Sequence, residues 1–140
     1  MEIDEYAIEK LPACLQGDPL SRMRAYRIAT KLQQLAWDDA ETLRKNPVTA
    51  EVAGQLYTAI GSIAANLAEG YSRSSGKDRV RLFEYALGSA REAVAWYVSA
   101  EPVLGNEILD KRGKALEEIR RIMLTAIPAE RNRLIRQKAS

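Results

Sequence analysis

Residues 66–92 read NLAEGYSRSSGKDRVRLFEYALGSARE, and the parsing of this stretch decides the fold. It is entered from an apolar-periodic run, Val52, Leu56, Ala59, Ile60, Ile63 and Leu67, whose steps put one helical face toward a core. Val80, Phe83, Leu87, Ala90, Val94 and Tyr97 then recur at alternating steps of three and four, the pattern of a bundle seam. Between the two runs, Gly70 stands where a left-handed C-terminal residue is wanted. Ser75, with Asp78 three residues on, has the pattern of a capping box. The stretch therefore reads as a tight turn, with Gly70 closing one helix and Ser75 opening the next.

Working outward, a helix is predicted from Asp18-Pro19, aspartate serving as N-cap and proline occupying a position where no N–H is needed. Ile28, Leu32, Leu35, Ala36, Ala40 and Leu43 carry it to Lys45-Asn46-Pro47, and Thr49 caps the next. The helix after Ser75 stops at Glu101-Pro102. A last one runs from Asn106 through Leu109, Leu116, Ile119, Met123 and Ala126, with Pro128 kinking or ending it. No stretch alternates apolar and polar residues long enough for a strand. Short connections favour antiparallel neighbours, so the predicted fold is all-α, an antiparallel up-down-up-down four-helix bundle. Residues 1–17 form an N-terminal arm, residues 18–127 the bundle, and residues 128–140 a basic C-terminal tail open to resuming as helix.

A chain of 140 residues suits one domain with a real core. The single cysteine, Cys14, has no internal partner, which points to a reducing cytoplasm. Glu2, Asp4 and Glu5 stand where a signal peptide carries basic residues, so none is expected. The longest charge-free run, Val52 to Ala68, is shorter than the roughly 20 residues of a spanning helix, so no membrane association is expected.

The opening stretch also resembles the signature of the four-helix-bundle family encoded by intervening sequences in bacterial 23S rRNA genes. The resemblance rests on Asn66, Ala68, Glu69, Gly70 and Arg73, then on Phe83, Ala86, Gly88, Ser89 and Glu92, and is strongest over residues 56–93. It implies an antiparallel bundle that assembles into a five-membered ring. A related group includes the basic accessory protein of diversity-generating retroelements, which works with a reverse transcriptase and nucleic acid. Two features depart from the pattern: the first helix lacks the usual early tryptophan and has Trp37 later, and Leu67 replaces the more familiar isoleucine. The resemblance carries no enzymatic activity.

The residues themselves argue in the same direction. There is no histidine to serve as general base or to activate Cys14, and no cluster has metal-ligand spacing. GYSRSSGK has glycine, serine and lysine without phosphate-loop order. No catalytic residue, metal or cofactor is expected. Asn66 lies on the apolar stripe of its helix and needs hydrogen-bond partners there, as a structural amide or as part of a polar pocket. Glu69, at the negative end of the helix dipole, needs a cation, most simply Arg73. Asn66, Glu69, Gly70, Ser75 and Asp78 are thus read as structural.

The helix from Val52 to Ala68 has no charge on any face and many small residues, so its outer side needs a cover. A second copy of the chain is the expected cover, the N-terminal arm the alternative. Up-down topology also gathers cations at one pole. Arg22, Arg24, Arg27 and Lys31 come from the first helix, Arg73, Lys77, Arg79 and Arg81 from the turn, and Arg131, Arg133, Arg136 and Lys138 from the tail. Such a surface concentrates phosphate backbones, so RNA or DNA is the expected partner. The acidic arm (Glu2, Asp4, Glu5, Glu9) is placed to mask it. The competing expectation is a protein-interaction scaffold whose ring faces a polymerase or reverse transcriptase.

Overall fold

The computed structural model describes residues 4–139, with side chains described through Arg133. The chain is all-helical, with four long helices and no strand among the described residues. A short helix α1 (Ala13–Gln16) follows a 3-10 turn at Ile8–Lys10 and precedes another at Pro19–Arg22. The long helices are α2 (Arg24–Arg44), α3 (Ala50–Ser72), α4 (Gly76–Leu104) and α5 (Asn106–Ala139).

Each boundary has a local cause. Asp18 does cap, its Oδ1 accepting from the Leu20 N–H at 3.0 Å, but it caps the 3-10 turn, and α2 starts only at Arg24. Thr49 precedes α3, yet its hydroxyl turns back and donates to the Leu43 carbonyl at 2.8 Å. Ser75 caps α4 by accepting from the Asp78 N–H, at a long 3.5 Å. Pro102 does not stop α4, which ends at Gly105, the one residue with positive φ (+91°) among those described. Pro128 likewise lies inside α5. Both prolines are exposed, as are Val98 and Leu124 four residues before them. The carbonyls that lose a helical partner there lie on the water-facing side and can be hydrated.

Gly70 has a different role from the one its position suggests. It sits inside α3, which continues to Ser72, and the C-cap is Arg73 in extended geometry. A Cβ at Gly70 would lie 2.8 Å from Cδ1 and Cε1 of Phe83 and 3.2 Å from the Leu82 Cβ. Glycine is required there because α4 packs against the α3 backbone, not because the chain turns left-handed.

One core unites the helices: Ile28, Leu32 and Leu43 of α2, Leu56, Ile60, Ile63 and Leu67 of α3, Phe83 and Tyr97 of α4, and Leu116, Ile119 and Met123 of α5. Each large apolar side chain buried this way contributes about 1.5–3 kcal/mol. The α4 seam runs through Val80, Phe83, Ala86, Ala90, Ala93, Tyr97 and Ala100, so Val94, placed on it by spacing, is instead exposed, and Leu87 is half-buried. The mostly small residues of this seam leave room for the bulk of the neighbouring helices.

The neighbours α2–α3, α3–α4 and α4–α5 pack closely, and α2–α5 meet more loosely. The arm lies along that looser seam: the Tyr6 carbonyl accepts from Arg27 Nε of α2 at 2.6 Å, and Tyr6 and Leu15 pack on the core. It therefore leaves the outward face of α3 uncovered, and Gly54, Gln55, Thr58 and Ala65 are exposed. Among the described residues no helix is long and apolar enough to cross a membrane.

Candidate nucleic-acid interface

The cations divide into two groups by the contacts they make. The first surrounds the start of α2. Arg24 Nε donates to Glu118 Oε1 at 2.7 Å, and its Nη1 reaches Asp4 Oδ2 at 3.5 Å with the guanidinium over the Tyr6 ring. Arg27 is held by two carbonyls, Tyr6 and Ser21, at 2.6 and 2.8 Å. Arg22 is exposed and Lys31 half-buried, and neither has an ion pair among the described residues.

The second group surrounds the α3–α4 turn and the end of α5. Arg79 Nη2 pairs with Glu130 Oε1 at 3.2 Å, and Arg133 with the other oxygen of Glu130 at 2.6 Å. Arg131 pairs with Glu84, and Arg81 with Asp78 at 3.5 Å. Arg73 and Lys77 are exposed and have no ion pair among the described residues. The Arg79 side chain is only 23% exposed and is held by Glu130, so it belongs to the packing between α4 and α5 rather than serving as a free phosphate ligand, and its Nε is buried without an acceptor among the described residues. Arg24, through Glu118, meets α5 some thirteen residues before Arg131, roughly 20 Å along the helix at 1.5 Å per residue. No hydrogen bond or ion pair among the described residues joins the groups.

Much of the cationic character expected of one tip is thus already matched by Asp4, Asp78, Glu84, Glu118 and Glu130. Most of these pairs are solvent-exposed, and exposed pairs contribute only about 0–1 kcal/mol, so Arg81, Arg131 and Arg133 can exchange a carboxylate for a phosphate at small cost. Asp4 is the arm residue that reaches one of these cations, Arg24; Glu5 and Glu9 make no ion pair among the described residues. Glu2, and the side chains of Arg136 and Lys138, lie outside the described residues.

Two structural expectations need correction. Asn66 is half-buried rather than in the core, and its Nδ2 donates to the Ser62 carbonyl of its own helix at 2.8 Å. Glu69 is exposed and makes no ion pair with Arg73, because the backbone turns extended at Arg73 and carries that side chain away.

Sequence reading missed the most buried charge among the described residues. Asp39 is 3% exposed. Its Oδ2 accepts from the Tyr97 hydroxyl at 2.6 Å and from Arg112 Nε at 2.8 Å, while Oδ1 accepts from Arg112 Nη2 at 3.2 Å. Burial, followed by the bond to Asp39, pushes the Tyr97 phenol far above its ordinary range. For Arg112, burial opposes the charge, but the hydrogen bond and charge of Asp39 outweigh it and hold the guanidinium above its usual value. The cluster ties α2, α4 and α5 together at one register. The available signal was position: Asp39 lies between Ala36 and Leu43 on the apolar track of α2.

The geometry defines a class: a helical bundle with cationic side chains displayed at helix ends and no cluster of metal-ligating side chains among the described residues. The sequence profile of the 23S rRNA-intervening sequence protein family matches residues 21–125, most of the chain, and the protein belongs to that family. No curated protein and no solved structure matches it.

Proposed function

We propose that the protein is a non-enzymatic, cytoplasmic, homo-oligomeric binding module, built as an antiparallel up-down-up-down four-helix bundle, that holds RNA or DNA backbones through its cationic surface. The observation that carries this reading is the exposed, uncompensated pair Arg73 and Lys77 in the α3–α4 turn, flanked by the exchangeable arginines Arg81, Arg131 and Arg133. Antiparallel order is supported by contacts whose numbering runs in opposite senses: Arg79 meets Glu130, whereas Tyr97 meets Arg112 through Asp39. Self-association is supported by the outward face of α3, charge-free from Val52 to Ala68, with Gly54, Thr58 and Ala65 exposed, and a pentamer by the family resemblance. A ring repeats the cationic surface and multiplies its hold on a long polyanion. Cys14, a free exposed thiol, suits a reducing compartment.

The test is a salt titration of binding to a labelled structured RNA, with Arg73→Gln/Lys77→Gln beside the parent. Each lost phosphate contact lowers the slope of log K against log salt by about 0.9 on a duplex and about 0.7 on a single strand. No binding at low salt, or an unchanged slope in the double variant, overturns the reading. A monomer in sedimentation at micromolar concentration removes the oligomer.

A second reading, a scaffold for a protein such as a polymerase or reverse transcriptase, is favoured by one observation. Val94 and Val98 stand exposed along an open groove between α4 and α5, an arrangement that suits an apolar partner surface. Recovery of such a partner from native lysate after nuclease treatment supports the scaffold over the nucleic-acid module.

A further inference from the structure

Where α2 and α5 diverge, the described residues of the arm do not fill the gap completely. A cleft of about 410 Å³ remains, roofed by Glu5 and Tyr6 and floored by Leu32 and Leu35 of α2 and Ala115 of α5. Its volume lies in the range of small-molecule sites, but its lining carries more charge than is usual for them, which points to a charged ligand. The rim charges are unequally committed. Arg112 is taken up by Asp39 and Glu118 by Arg24, so these cancel within the fold. Lys31 has no ion pair among the described residues. Lys111 and Lys114 are held only by i,i+4 pairs with exposed Glu107 and Asp110, contacts too weak to keep an ammonium from a better acceptor. Of the two carboxylates that line the cleft, Glu118 is held by Arg24, and Glu5 has no ion pair among the described residues. Tyr6 adds a phenol whose pKa burial, then the bond to Glu5, pushes up to about 12.

We infer that this arm-roofed cleft is a binding site for a small organic anion with an apolar body. The anionic group lies among Lys31, Lys111 and Lys114, and the body lies on Leu32, Leu35 and Tyr6. The larger α4–α5 groove, of about 580 Å³, shares Lys114 with the cleft and sets Arg91, Lys114 and Arg120 against Asp110 and Glu117, a smaller excess of cations over carboxylates. The site is separate from the Arg73–Lys77 surface and does not depend on nucleic-acid binding.

The experiment uses the full chain and the fluorescent probe 1-anilinonaphthalene-8-sulfonate, with decanoate and decanol as competitors. One saturable site is expected, displaced by decanoate at least about tenfold more effectively than by decanol, the difference a charge-assisted contact supplies. Lys31→Met weakens probe binding by about tenfold, and Lys111→Gln/Lys114→Gln does so in a protein with the parent's circular dichroism. Val98→Lys, in the other groove, and Arg73→Gln/Lys77→Gln leave it unchanged. Equal displacement by the alcohol, loss in Val98→Lys but not in Lys31→Met, or no saturable binding overturns the inference. Because the Arg73/Lys77 variant is read in both assays, failure of either proposal is visible without the other.

Discussion

Replacing Gly70 with alanine sets helix propensity against packing. Gly70 lies within α3, where alanine is the better residue by about 0.8–1.0 kcal/mol. The added methyl, however, would sit 2.8 Å from two ring carbons of Phe83 and 3.2 Å from the Leu82 Cβ. Phe83 is 3% exposed, so its ring has nowhere to swing, and a Cβ moves only with its backbone. Overpacking of this kind costs about 1–3 kcal/mol, here toward the upper end because neither neighbour yields easily. The net expectation is destabilisation by about 1–2 kcal/mol, read as a fall in Tm of roughly 3–8 °C at fixed protein concentration. Gly88→Ala is the control: nothing lies within 4 Å of the new methyl, and the same propensity gain emerges as stabilisation of up to about 1 kcal/mol. Combining Gly70→Ala with Phe83→Leu should recover about 1 kcal/mol of coupling in a double-mutant cycle by urea unfolding. A Gly70→Ala protein as stable as its parent, or coupling within about 0.3 kcal/mol, refutes the close-approach account and returns Gly70 to being a helix terminator.

Three further outcomes follow from other parts of the structure. Asp39→Ala leaves Arg112 charged and half-enclosed, and should cost about 3–5 kcal/mol in equilibrium unfolding, against about 1 kcal/mol for Tyr97→Phe. Because the folded protein holds the Tyr97 proton more tightly than the unfolded chain, this stability is intact below about pH 10 and is lost as pH rises above it through the folded pKa. A Tyr97→Phe protein should show a shallower alkaline decline in a pH series of urea melts. Gly105→Ala places a side chain at φ +91°, and should cost about 1–3 kcal/mol by thermal melting, more than any exposed-helix alanine substitution in the same chain. Asp4→Asn removes a 3.5 Å pair between half-exposed groups, so stability should stay within about 0.5 kcal/mol of the parent, and because Glu118 still holds Arg24 at 2.7 Å the salt slope of RNA binding should not change.

The helices were legible because their information is local. Apolar steps of three and four, Asp18-Pro19, Thr49, Ser75 and the two internal prolines mark where helix can begin, continue or falter without reference to the rest of the chain. Errors arose where local signals carried a tertiary meaning. Gly70 has the composition of a helix end, but the ring of Phe83 from the next helix accounts for it. Pro102 and Pro128 look like stops, yet each lies on a solvent-facing side where the orphaned carbonyl can be hydrated. Val94 fits the heptad spacing but misses the core, because the α4 seam follows its alanines.

The candidate site was legible as a census and not as an arrangement. Counting arginines and lysines identified the cationic inventory, since formal charge belongs to each residue wherever it lies. Whether a given charge is available depends on what folding sets beside it: Glu130 satisfies Arg79 and Arg133, two carbonyls hold Arg27, and Arg73 is turned away from Glu69. The Asp39–Tyr97–Arg112 cluster spans separations of 58 and 73 residues, and no window of the chain contains it. Helix type and charge count are short-range properties that a single segment carries. Which charges meet, which stay free, and where the arm leaves a cleft come from packing several segments at once, and Coulomb and steric terms act over a few ångströms of space regardless of distance along the chain.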